Sequence, residues 1–77
     1  MNIQDVIDFV YTHTDEDFVL TDLEVLEDLK KDLKNGTKPI YDLDDVKGVK
    51  DDIIQTMELN SEQKKVLNDF VKKVEGL

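Results

Sequence analysis

An all-α fold, a small bundle of four helices, is the prediction for this chain. Three observations carry it. Apolar residues recur three and four apart in four separate blocks, the pattern of helices with one buried face. Residues that start and stop helices stand between the blocks. The 77 residues include no cysteine, so no disulfide staples the chain and the core must come from Val, Leu, Ile and Phe. A chain this short buries only about 60% of its unfolded surface, and locally connected helices use such a chain well. One helical domain is expected over residues 1–77.

The first helix is expected over about 2–13. Ile3, Val6, Ile7 and Val10 make its stripe, Phe9 and Tyr11 widen it, and Asn2 is placed to cap it. Gln4, Asp5, Asp8 and Thr12 lie opposite. Asp15, Glu16 and Asp17 read as a loop. The second helix is expected over 21–35, because Thr21 and Glu24 form a T-x-x-E capping box with Leu20 and Val25 at the staple positions. Leu26, Leu29 and Leu33 share one face with Leu23 beside them. Lys30, Lys31 and Lys34 suit the negative end of the dipole, and Asn35-Gly36 stops the helix.

Thr37–Tyr41 reads as a connector, with Pro39 holding Lys38 extended. This reading is preferred to a small ribbon pairing Phe18–Leu20 with Pro39–Tyr41. The third helix is expected over 42–58, with Leu43, Val46, Val49, Ile53, Ile54 and Met57 on one stripe. Gly48 inside it costs roughly 1 kcal/mol against alanine, so any break or kink is expected there. The fourth helix is expected over 60–75. Asn60 or Ser61 caps it, and Gln63 completes a capping box with Asn60. Val66, Leu67, Phe70, Val71 and Val74 form its stripe. Asp69 is within reach of Lys72 and Lys73, and Gly76 ends the helix.

Charge is distributed unevenly along this framework. The formal net charge is −9. The first 29 residues hold Asp5, Asp8, Asp15, Glu16, Asp17, Asp22, Glu24, Glu27 and Asp28, and no lysine or arginine. The ten lysines all follow, interleaved with the other acids. Some acids have local duties: Asp22 and Glu24 at a helix start, Glu27 and Asp28 near Lys30 and Lys31, and Asp42, Asp44 and Asp45 at the next helix start. Asp5, Asp8, Asp15, Glu16 and Asp17 have none, and they are the expected partner-binding residues.

Other chemistries find little support. No catalytic residue is assigned: Ser61 is the one serine and stands at a helix cap, and His13 is the one histidine and ends a short helix. No metal site is assigned. An EF-hand loop started at Asp42 puts Val46 at a ligand position, Lys47 at the glycine and Ile53 at the terminal glutamate. One started at Asp15 puts Val19 and Leu20 at the ligand and glycine positions. No cofactor is expected, since Gly36, Gly48 and Gly76 are isolated and form no phosphate loop. Direct nucleic-acid binding is disfavoured, because arginine is absent and the lysines are diluted by acids. No apolar run approaches the roughly 20 residues of a membrane span. Met1-Asn2-Ile3-Gln4 lacks the basic start of a secretory signal, so a cytoplasmic protein is expected.

Acyl carrier proteins are similar in length, charge and helix count. Their attachment serine lies between an aspartate and a leucine at the start of the second helix. Here Thr21, Asp22 and Leu23 open that segment and Ser61 lies between Asn60 and Glu62, so the resemblance fails at its functional residue. Acidic proteins that mimic nucleic acid are an analogy by charge alone. The leading expectation is a small non-enzymatic inhibitor or regulator. Its acidic N-terminal half would dock on a basic surface of another protein; where that surface normally binds DNA or RNA, the protein would be a competitive inhibitor, as phage and mobile-element anti-defence proteins are. The alternatives are a self-assembling structural component, with a homodimer patch drawn from Phe9, Tyr11, Phe18 and Tyr41, and a divalent-cation-responsive module.

Overall fold

A computed structural model describes residues 1–77 and contains four helices and no strand. They are α1 (Ile3–His13), α2 (Asp17–Asn35), α3 (Leu43–Thr56) and α4 (Ser61–Glu75). α1 and α3 each pack against both α2 and α4. The helices therefore follow one another around a ring, with α1 and α3 on one diagonal. The radius of gyration is 11.5 Å, and about 11.5 Å is the value for a compact chain of this length.

Three of the four helix starts are capped as their residues dictate. At α1, the Asn2 side chain accepts from the Asp5 amide at 3.1 Å, and Asp5 accepts from the Asn2 amide at 2.8 Å. Asn60 and Gln63 repeat this exchange at α4, with both bonds at 2.8 Å. Asp42 accepts from the Asp45 amide at 2.8 Å to open α3. Each such cap satisfies amides that the first turn leaves free.

The start of α2 departs from expectation. The helix begins at Asp17, one turn before Thr21, with Glu16 as a cap residue that makes no side-chain cap bond. Thr21 lies in the helix and its hydroxyl donates to the Asp17 carbonyl at 3.2 Å. The T-x-x-E box is therefore not the start signal. Val19 explains why: it is fully buried, and helical backbone from Asp17 onward is what turns it inward. The same extension removes Phe18–Leu20 from any ribbon with the connector and places Asp17 in a helix rather than a loop.

α2 ends as Asn35-Gly36 implies. Gly36 takes φ 67°, its amide donates to the Leu33 carbonyl, and the Thr37 amide reaches back to the Asp32 carbonyl at 2.9 Å. Only glycine enters that left-handed turn at little cost. Gly76 also ends its helix, but at φ −82°. α3 runs unbroken through Gly48, which faces open space, and it ends at Thr56 rather than Glu58. Burial of Val46, Val49 and Ile53 on both sides of the glycine outweighs its propensity cost of about 1 kcal/mol.

The core gathers residues from every helix. Val6, Ile7 and Val10 come from α1, and Val19, Leu23, Leu26 and Leu29 from α2. Val46, Val49 and Ile53 come from α3, and Leu67, Phe70, Val71 and Val74 from α4. Leu59, in the link between α3 and α4, closes one end. The longer connector after α2 is tied back by Tyr41, whose hydroxyl donates to Asp28 at 2.9 Å. That bond holds the Tyr41 phenol above its ordinary pKa, since the carboxylate favours the protonated donor. Asp28 thus serves the connector rather than a lysine. Glu27 lies 3.9 Å from Lys30, while Asp69 forms no ion pair with Lys72 or Lys73.

Candidate functional site

The five acids singled out by sequence are all exposed, and none forms an ion pair. Their local duties differ. Asp5 is committed to the α1 capping box. Asp17 occupies the first turn of α2, where its charge offsets the helix dipole. Asp8 stands on the outer face of α1 and accepts from the Gln4 amide group at 2.9 Å. Asp15 and Glu16 lie in the link of residues 14–16, where the Glu16 amide donates to the Thr14 hydroxyl at 3.2 Å. Asp8, Asp15 and Glu16 are therefore the members without a structural task for their charge.

Asp8 belongs to a second grouping that the linear reading did not assemble. The link of residues 14–16 returns α2 along α1, so the two helices lie antiparallel. A groove of about 410 Å³ runs between them. Ile7 and Leu23, both buried, form its floor, and Leu20 and Tyr11 form the wall toward the link. Tyr11 is 66% exposed. Asp8, Glu24 and Glu27 line the rim. At the far end Lys30 donates to Gln4, whose amide group also holds Asp8. The arrangement is an apolar trough edged by three carboxylates, with Lys30 at one end, 3.9 Å from Glu27.

Periodicity explains how these residues meet. Gln4, Asp8 and Tyr11 recur at i, i+4 and i+7 on α1, and Leu20, Glu24 and Glu27 do so on α2. Each trio lies beside its helix's core stripe. A helix that starts at Thr21 has no second trio, because Glu24 is then a capping residue and Leu20 lies outside the helix. A helix begun at Asp17 reveals it.

A separate carboxyl pair forms between α2 and α3. Asp22 is buried, 9% exposed, and its Oδ2 has no hydrogen-bond partner. Burial raises its pKa to about 6, and the charge of Asp52 and a hydrogen bond with that carboxyl add to the shift. Asp22 is therefore not the solvated helix-start acid that the sequence implied. Its place between Val19 and Leu26 on the buried stripe was the missed signal. Asp22 and Asp52 line none of the three surface depressions.

His13 sits at the exposed end of α1, stacked on Phe9 with ring centroids 4.2 Å apart, and its Nδ1 is 2.8 Å from the Phe9 carbonyl. The acids at the start of α3 occupy its first turn, with Asp42 as the cap. No group of three or more His, Asp or Glu side chains is gathered around a point that would hold a metal ion. No helix is long and apolar enough to cross a membrane. No protein-family model matches the chain, and no curated protein or solved structure matches it either.

Proposed function

We propose that this protein is a non-enzymatic interaction module whose acidic N-terminal half docks on a basic surface of a partner protein. The observation that supports it is the set Asp8, Asp15 and Glu16: exposed carboxylates without an ion pair or a cap to serve. The formal charge of −9 reinforces the reading, because a one-signed face speeds encounter with an opposite one and repels like-charged competitors. Where the partner's basic surface serves to bind DNA or RNA, the module acts as a competitive inhibitor, the mode of anti-defence proteins from phages and mobile elements. Asp5 and Asp17 contribute field, but their charges are also used by the helix starts.

Affinity capture from the native host extract tests the proposal, with stepped salt elution and a parallel column carrying Asp8→Asn, Asp15→Asn and Glu16→Gln together. The expected result is a protein with a basic surface that elutes as salt rises and is not retained by the variant. Equal retention on both columns, or elution indifferent to salt, removes the reading.

A second reading is self-association through the opposite region of the chain. Ile40 is 90% exposed, and Leu43 and Leu77, both exposed, line a depression beside Pro39 and Tyr41. Exposed apolar side chains grouped in this region are candidates for a contact between copies. Among the aromatic residues that such a patch could draw on, Tyr11 and Phe18 are exposed while Phe9 and Tyr41 are half-buried against the core. Sedimentation over a wide concentration range separates the readings: a dimer weakened by Leu43→Ser supports self-association, and a monomer throughout removes it.

A further inference from the structure

We infer that the groove between α1 and α2 is the seat for an amphipathic helix of the partner, one that carries Lys or Arg on both sides of its apolar stripe. The inference rests on the docking function proposed above and names what docks. Charge complementarity selects the occupant. An apolar segment alone would leave Asp8 and Glu24 facing its polar edges without a cation, whereas flanking cations meet both and add to Lys30 beside Glu27. A second copy of this chain is a poor fit, because its own N-terminal half repeats the same charge.

The shape argues for a helix rather than a strand. No sheet edge exists to receive an extended peptide. The trough lies between two antiparallel helices, and ridges of a third helix pack into such a trough. Gln4 and Tyr11 mark its two ends along α1, which is about 10 Å, or two turns, at 1.5 Å per residue. Two turns take anchors at i, i+4 and i+7. Ile7 and Leu23 would meet the central anchor, and Tyr11 with Leu20 the end anchor. An exposed tyrosine at a groove wall is the residue type that concentrates binding energy. Lys30 sets direction: its cation at the Gln4 end favours a partner whose positive charge lies toward Tyr11.

Two synthetic peptides of equal composition test the inference, each about 18 residues long so that a helix is within reach. One places leucines at i, i+4 and i+7 with lysines flanking; the other scrambles the order and keeps the charge. Binding is read by amide chemical shifts of the intact protein and by titration calorimetry. The expected result is at least about tenfold tighter binding of the amphipathic peptide. Its shifts should centre on Ile7, Tyr11, Leu20 and Leu23. Tyr11→Ser should weaken that peptide without affecting the scrambled one, and Asp8→Asn with Glu24→Gln and Glu27→Gln should weaken both. Equal, salt-sensitive binding of the two peptides overturns the groove while leaving the charge-driven docking function standing. Tight binding of the amphipathic peptide with shifts away from the groove also overturns it. Failure of both peptides to bind overturns the groove and the docking function together. The peptide pair keeps the test decisive if a variant unfolds.

Discussion

Packing α2 against α3 takes the Asp22 carboxyl out of water and sets it beside Asp52. Its pKa of about 6 in the folded state lies above the 3.8 of the unfolded chain, so the folded protein binds more protons between those values. The stabilising contribution is fully present below the unfolded value and is lost as pH rises through about 6. Asp22→Asn keeps the shape and lets the amide donate to Asp52 without a buried charge. It should raise stability at pH values above 7 by about 1–3 kcal/mol. The gain should shrink toward zero near the unfolded carboxylate value. Urea unfolding of both proteins across that range measures it, and a gain independent of pH would refute the carboxyl pairing. The exposed acids behave differently. Asp5→Ala removes half of a capping box and should cost about 1 kcal/mol, while Asp15→Asn should change stability by less than about 0.5 kcal/mol. Neutralising all five acids together would thus disturb the fold as well as the surface, which is why Asp5 and Asp17 are spared in the capture experiment.

At the scale of elements, glycine and cap residues give the sharpest expectations. Gly48 lies in α3 with open space where a Cβ would stand, so Gly48→Ala should stabilise by about 0.5–1 kcal/mol. Gly36 adopts φ 67°, and Gly36→Ala should destabilise by about 1 kcal/mol even though its surroundings are also open. Opposite signs for the same substitution isolate backbone conformation from packing, and thermal melts of the two variants read them directly. The helices were legible in the sequence wherever cap and stripe agreed. Asn2, Asp42 and Asn60 each start a helix, and Asn35-Gly36 stops one. Thr21 was misleading because a local capping pattern competes with burial of Val19 one turn earlier, and burial wins. Gly48 left open whether α3 is continuous, and it is, since the local propensity cost is smaller than the packing gained on either side. Local signals mark boundaries well, but they do not report which of two adjacent starts buries more apolar surface.

For the whole molecule, the acidic half is visible in the sequence as a count, and only the fold turns that count into surfaces. Asp22 leaves the surface for the core, Asp28 ties down Tyr41, and Asp5 caps α1. Asp8 forms no ion pair and gains Glu24 and Glu27 as neighbours along a groove; spacing puts each trio on one face of its helix, and the antiparallel return of α2 brings the two faces together. Electrostatic docking through this half predicts strong dependence on ionic strength, because exposed charges lose one another beyond a screening length of about 10 Å at 0.1 M salt. The most direct test of the account is the affinity of the intact protein for the lysine-flanked amphipathic helix, measured by calorimetry from about 50 to about 300 mM salt. The account predicts an affinity that falls about tenfold or more over that range, with a much shallower fall for Asp8→Asn, Glu24→Gln, Glu27→Gln. An affinity that holds constant with salt, or a variant that follows the unsubstituted protein throughout, would contradict it.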